Sequence, residues 1–412
     1  MFGALKTVFK SCMSVAIRLA LVVKDMLTTM FFRIDAFMHP NTVPQNGITI
    51  VAHLTGAWSF GKVMRDLAFS LKEAGIPFQT FNIGMRKDIP AEDVDPILTP
   101  RCKFRIKKYN HVIDIVSSPV PDNIPGVKRS TVFFWEFDTG FLESWPTAQT
   151  CRSAIAFSDF NHHVFRKALP SACDVHKILY PFRFNISRVE KTDVIRDRYG
   201  IPQDAFAVFF NFSYSSGIGR KNPEGVIRAF AKAFKSNSQA RLVFKTMAAS
   251  QSKEKVERLK RLAESEGVLD RIISIDRYVP QNDIYGITAA CDVYISLHRG
   301  EGFGLGVAEA MSLGKPVVVT DYSSTTEFCN KENSCLIPYR MVKPTPDQLD
   351  CDTFRHVFVW PEPDIDVAAD MLTRLRKDAN FRETLGRNAQ SYMSNHFSIE
   401  RFRKSILEFI KA

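Results

Sequence analysis

From Gly47 onward the chain alternates short apolar runs with amphipathic helical segments, and this alternation constrains the fold more than any other feature. Residues 48–52, 78–83, 112–116, 131–135 and 154–157 read as strands, with a helix over 61–74 between the first two. After a Pro-containing stretch around 180–186 the pattern restarts, with strands predicted over 207–212, 241–246, 272–275, 293–297 and 316–320. Between these strands lie helical patterns over 223–235, 252–266, 282–289 and 305–313. Runs of β-branched and aromatic residues, bounded by Gly, Pro and Asp and separated by helices, are what parallel sheets with crossover helices require. Two such series in 412 residues predict an α/β protein with two facing doubly wound, Rossmann-like domains. A ligand would bind in the cleft between them, at the carboxyl ends of the strands.

This reading divides the chain into a helical extension over 1–40, an amino-terminal domain over 41–185 and a carboxyl-terminal domain over 186–395. The final helix, 396–412, is free to pack back on the amino-terminal domain. In the extension, Leu5, Phe9, Cys12, Ala16, Leu19, Val23, Met26 and Met30 recur at spacings of four and three and line one helical face. Arg18 interrupts the run, so it falls short of the roughly 20 apolar residues needed to span a bilayer. Three roles remain open for it: a helix lying in a membrane interface, a helix packed on the body, and an oligomer seam. The eight cysteines are scattered without a C-x-x-C pair, which fits free thiols in a reducing, cytoplasmic setting. A net charge of +11 favours anionic partners. No nucleic-acid-binding motif accompanies that charge, so nucleic acid is not the expected one.

Most of the chemistry lies in residues 293–314, where a strand enters a loop with Gly300, Gly302, Gly304 and Gly306 before a helix begins. Small residues let a backbone approach a ligand closely, and the positive end of the helix suits a phosphate. Glu301 and Glu309 flank that turn, and paired carboxylates accept hydrogen bonds from adjacent hydroxyls. A second glycine-bearing loop, from His53 to Val63, fits G-x4-G-K from Gly56 to Lys62. Val63 stands where the magnesium-binding hydroxyl of a P-loop belongs, which argues against nucleotide hydrolysis of that type.

The E-x7-E segment around Gly302-Phe303-Gly304-Leu305, followed by Ala310-Met311 and Gly314-Lys315-Pro316-Val317, resembles the family-4 glycosyltransferases. These are retaining enzymes of the GT-B fold with nucleotide-sugar donors. Further stretches resemble the bacterial polysaccharide-assembly branch: Trp135-Glu136, Ser158-Asp159-Phe160-Asn161, Arg220-Lys221-Asn222-Pro223, Ser296-Leu297-His298-Arg299 and Trp360-Pro361-Glu362-Pro363-Asp364. The resemblance implies that Glu309 binds the donor ribose and Glu301 the transferred sugar. It puts the amides of Phe303, Gly304 and Leu305, together with Gly302, on the diphosphate, and Lys221 on the leaving group. Gly56 and Gly61 would lie under the donor phosphates.

The family's Gly-Arg before the lysine is replaced by Asn211-Phe212-Ser213, so a second cation must come from elsewhere, with Arg220 and Lys245 as candidates. Glu136 is the acceptor-side candidate, and His298, preceding the glycine-rich loop, is expected within reach of the cleft. His53 and His111 match no family position. The pairs Asp93/Asp95, Asp350/Asp352 and Asp364/Asp366 form D-x-D but sit in loops or at a helix start, so no metal or other cofactor is expected. The implied activity is transfer of a sugar, a hexosyl group on this reading, from a nucleoside diphosphate to a hydroxyl of a glycan or lipid-linked acceptor, at the inner face of a membrane. The missing arginine leaves a non-catalytic nucleotide- or glycan-binding GT-B protein as the alternative.

Overall fold

The computed structural model describes residues 26–39, 42–55, 59–83, 98, 105–115, 120–121, 123–183, 189–235 and 239–411. A helix over 26–38 (α1) leads into a six-stranded parallel sheet of order β2-β1-β3-β4-β5-β6. Its strands are β1 (Gln45–Ala52), β2 (Phe78–Asn82), β3 (Tyr109–Ile115), β4 (Lys128–Val132), β5 (Ser153–Ala156) and β6 (Asp174–Lys177). Helices α2 (Ser59–Glu73), α3 (Phe141–Ser144) and α4 (Asp159–Ala168) belong to this half.

After α5 (Thr192–Tyr199) comes a second parallel sheet of order β12-β11-β10-β7-β8-β9. It comprises β7 (Phe206–Ser213), β8 (Ala240–Met247), β9 (Ile272–Asp276), β10 (Val293–Ser296), β11 (Val317–Thr320) and β12 (Cys335–Ile337). The helices of this half are α6 (Ile218–Lys221), α7 (Pro223–Phe234), α8 (Lys253–Ser265), α9 (Gln281–Ala290), α10 (Leu305–Ser312), α11 (Ile365–Lys377) and α12 (Ala379–His396). A short antiparallel ribbon, β13 (Tyr339–Val342) with β14 (Trp360–Pro363), interrupts the path from β12 to α11. The last helix, α13 (Ile399–Lys411), returns to α2, where Ser405 accepts the Leu179 amide at 2.9 Å. This is the GT-B arrangement of two facing Rossmann-like domains.

Both strand orders reverse direction next to the first strand of their sheet, so the crevice for a ligand opens after β1 in one domain and between β7 and β10 in the other. The central strands are apolar on both faces, as parallel strands covered by helices must be; β10 and β11 are buried throughout. One expected strand ends early, and one strand at a sheet edge was not expected. The apolar run at 131–135 forms a strand only as far as Val132, because Trp135 gives its amide to the Asn161 side chain and continues into the domain interface. β6 (DVHK) has no apolar run and lies half-exposed at the sheet edge, which is why the sequence pattern missed it.

The domain interface is extensive. Ser158 caps α4 and also donates to Ser324 at 2.9 Å, while Glu327 accepts the Asp159 amide and pairs with Lys177. Residues 338–364 leave the second domain and place Phe354, Val357 and Trp360 in one apolar cluster with Trp135, Phe137 and Phe141 of the first.

Candidate active site

Two adjacent turns of the second domain build the site. The first follows β7: Asn222 adopts a left-handed conformation (φ 55°), caps α7 through the Gly225 amide and donates to the Leu297 carbonyl. Pro223 occupies the first turn of α7, where its lack of an N–H costs nothing. Asp350 accepts the amides of Ile218 and Gly219 at 3.1 and 3.2 Å, so the α6 turn holds Arg220 and Lys221 toward the cleft. The second turn follows β10. Gly304 has φ 92°, and a Cβ there would lie 2.5 Å from the Thr325 methyl, so this position needs glycine to start α10.

These turns bring Glu301, Lys221, Arg220 and Glu136 together. The Lys221 ammonium donates directly to Glu301, and the Arg220 guanidinium lies 3.7 Å from Glu301 and 3.4 Å from Glu136 of the other domain. Burial alone would raise the Glu301 pKa, but Lys221 and Arg220 outweigh it and hold the carboxyl at about 2. Glu136 is pushed upward, chiefly by burial and against the pull of Arg220. Arg220 also donates to the Gly300 and Ser216 carbonyls, so its position is fixed.

Glu309 lies on α10, 5% exposed, within 3.4 Å of the Gln281 amide nitrogen and 3.8 Å of the Lys62 ammonium, and it bonds Tyr285. Burial, with Asp66 nearby, pushes its pKa up to about 7 against the opposing charge of Lys62. Phe303 is buried and stacks on Tyr180 at 4.0 Å, Gly302 packs on Phe134, and Leu305 opens α10.

Three expected positions sit differently. His298 is fully buried beside Glu301, with one ring nitrogen 3.2 Å from the Ser296 hydroxyl and the other 3.1 Å from the Tyr322 carbonyl, so both nitrogens are engaged within the second domain. Burial lowers its pKa. Lys245 donates to the Thr246 carbonyl beside Asp276 and contacts neither site carboxylate, which leaves Arg220 as the second cation at Glu301. Gly61 is a buried residue of α2 and not part of a loop; Gly56 lies outside the described residues.

Asp350 and Asp364 are backbone caps, and Asp366 pairs with Lys232. Asp93 and Asp95 lie outside the described residues. His111 sits at the start of β3, away from the cleft, and packs on Phe409.

Sequence reasoning missed Lys62 as a cleft residue and missed the pins behind the turns. Arg299 makes a two-pronged bond to Glu362 at 2.7 and 2.8 Å and also donates to the Gly219 carbonyl, so it ties ribbon to turn.

Residues 195–392 match the family model described as glycosyl transferases group 1. The carboxyl-terminal half is thus similar to the group 1 glycosyltransferases. It carries Glu301, Glu309, Arg220 and Lys221, so the site falls within the matched segment. Over 150 residues, 36% of this chain, the protein is 28% identical to the serotype-specific mannosyltransferase WbdA of Escherichia coli, covering 18% of that protein. Over 70 residues, 17% of this chain, it is 38% identical to the lipopolysaccharide core biosynthesis mannosyltransferase LpsB of Rhizobium meliloti strain 1021, covering 19% of it. The chain thus spans about a fifth of the length of these curated relatives.

In fold, both halves are similar to the sucrose-phosphate synthase of Thermosynechococcus elongatus (TM-score 0.64, 14% identity, 89% of this chain and 98% of that one). They are similar also to Anabaena HepE solved with UDP and glucose (TM-score 0.62, 16% identity, 89% and 100%).

Proposed function

We propose that the protein transfers a sugar from a nucleoside-diphosphate donor to a hydroxyl of a glycan or lipid-linked acceptor, with retention of anomeric configuration and without a metal ion. The observation that carries this reading is the Lys221–Arg220–Glu301 cluster, set beside the positive end of α10 in a cleft that also holds Glu309. Glu309 and Glu301 supply acceptors for ribose and sugar hydroxyls, and the amides at Phe303 to Leu305 face the diphosphate. The bond between the anomeric carbon and the phosphate oxygen breaks with its electrons going to the phosphate, where Lys221 and Arg220 meet the growing charge. The acceptor oxygen bonds to the anomeric carbon from the same face, and its proton passes to the leaving phosphate. Glu136 borders the acceptor side, and the close approach of the domains keeps out water that would hydrolyse the donor.

Support for a carbohydrate role comes from the mannosyltransferase relatives and from HepE, solved with UDP and glucose. The test is thermal shift with UDP, GDP, ADP and ATP, each with and without Mg²⁺. A ligand at a hundredfold over its Kd adds about 2.7 kcal/mol. Stabilisation by one diphosphate, indifferent to Mg²⁺, supports the transferase and names its base; ATP with Mg²⁺ alone would overturn it.

The same reading places the protein at the inner face of a membrane. Helix α1 docks on the body through Phe32 and through Asp35, which accepts the Ile106 amide at 2.8 Å. It also exposes Met26, Leu27, Met30, Ile34, Phe37 and Met38 to solvent. Beside it a cavity of about 980 Å³ is lined in part by Arg33, Lys128, Arg129 and Arg152. Exposed apolar residues beside cations suit an anionic lipid surface. Among the described residues no helix is long and apolar enough to cross a membrane.

A further inference from the structure

Lys62 occupies a position that local rules disfavour. It lies in the first turn of α2, at the positive end of a 15-residue helix whose first turn has no acidic residue. A cation there needs compensation, and the fold provides it twice. Asp66, one turn along the same helix, accepts from the Lys62 ammonium at 2.7 Å, and Glu309 of the opposite domain lies 3.8 Å away. The ammonium also sits 5.9 Å from the Phe182 ring, and the side chain is only 13% exposed. Such a half-buried cation between two buried carboxylates on different domains is more than a surface ion pair.

We propose that Lys62 is a positioning residue of the donor site: it reaches across the cleft from α2, fixes the Glu309 carboxylate by charge pairing, and makes that carboxylate available to the donor only when the two domains are together. The inference rests on the donor-site reading above and adds to it a residue from the acceptor domain. Several other groups face Glu309. Asp66 on α2 repels its charge; Gln281 and Tyr285 on α9 bond it; the hydroxyls of Tyr180 and Tyr294 feel it at longer range. Lys62 alone among these is cationic, and its charge favours an ionised Glu309 more than the Tyr285 hydrogen bond does. Without it, burial and Asp66 would leave a protonated carboxyl, which loses acceptor capacity for ribose hydroxyls.

The experiment compares the full-length wild type with Lys62→Met, Lys62→Arg and Glu309→Gln over pH 5.5 to 9. One readout is the Kd of the nucleoside diphosphate found to bind; the other is the thermal midpoint without ligand. Wild-type affinity should fall about tenfold per pH unit below pH 7. In Lys62→Met that fall should begin at least about one pH unit higher, in Lys62→Arg it should stay near the wild-type position, and in Glu309→Gln binding should be weak and flat with pH.

The ligand-free midpoint reports the same carboxyl. A carboxyl raised above its unfolded value destabilises the fold as pH rises through that interval, so the decline should extend to higher pH in Lys62→Met and shrink in Glu309→Gln. If Lys62→Met overlays wild type in both readouts, the proposal is overturned. If no nucleotide binds the wild type while the midpoint profiles shift as described, the Lys62–Glu309 link stands and the donor reading fails. Should Lys62→Met not fold, the neutral Lys62→Gln carries the same comparison, and a Glu309→Gln midpoint profile identical to wild type also refutes the link.

Discussion

Replacing Lys221 by Met keeps most of the unbranched side chain and removes the ammonium that meets Glu301. Two magnitudes follow. Glu301 is held at about 2, against an ordinary value of 4.5, although it is buried. That gap corresponds to roughly 3 kcal/mol favouring the ionised carboxylate. The figure is the net of burial against both cations: Arg220 at 3.7 Å shares the pull with Lys221, and burying the ammonium itself costs free energy.

The sign is that of a depressed carboxyl: the stabilisation is present above pH 4.5 and is lost as pH falls toward 2. In Lys221→Met the acid-unfolding midpoint, followed by circular dichroism, should therefore move to higher pH. On the catalytic side, removing a fixed charge from the leaving group costs about 10²–10³ in kcat, or roughly 3–4 kcal/mol. Donor KM should change far less, because the charge on the diphosphate grows mainly in the transition state. Radiolabelled donor with and without acceptor would measure both hydrolysis and transfer. A Lys221→Met protein that turns over donor within threefold of wild type would refute the assignment of Lys221 to the leaving group.

Other substitutions separate the remaining roles. Glu309→Ala should mainly raise donor KM, whereas Glu301→Ala should mainly lower kcat; steady-state kinetics at saturating acceptor reads both. Glu362→Ala leaves the Arg299 guanidinium, 3% exposed, without its two-pronged partner, and should cost about 3 kcal/mol in a denaturant titration. Gly304→Ala forces a left-handed residue and a 2.5 Å approach to Thr325, and should lower the thermal midpoint and weaken diphosphate binding together. Ile34→Glu with Phe37→Glu changes only exposed positions of α1 and should abolish flotation with anionic vesicles while leaving the midpoint unchanged.

Much of the architecture was legible because parallel strands advertise themselves as apolar runs: residues 293–297 and 316–320 read as strands, and Val293–Ser296 and Val317–Thr320 are buried strands. The same signal misleads where apolar residues are buried by tertiary contact instead of by a sheet, as at Phe133–Trp135, where the run continues past Val132 into the domain interface. β6 gave the opposite error, a strand at a sheet edge too polar to show a pattern.

At the site, Lys221 and Glu301, 80 positions apart, meet because they sit on turns that follow neighbouring strands; the family resemblance, and no spacing in the sequence, pointed to the two together. His298 and Lys245 could not be placed from the sequence, because the direction of a side chain at a strand end depends on what fills the space behind it. Lys62 had a usable signal, a cation in the first turn of a helix. Its partner Glu309, however, lies nearly 250 positions away and becomes visible only when the domains face each other.

The excursion of residues 338–364 bears on how the chain can be divided. Phe354, Val357 and Trp360 belong to the second domain by sequence, yet they complete an apolar cluster whose other members, Trp135, Phe137 and Phe141, belong to the first. Helix α13 does the same on another flank, covering α2. Each half therefore borrows part of its interior from the other. Cutting between β6 and α5 would leave both fragments with open aromatic faces, prone to aggregation, and the intact protein should melt in a single calorimetric transition. For such a chain, exchanging one half for that of a relative requires carrying the ribbon and the last helix along with the surfaces they cover.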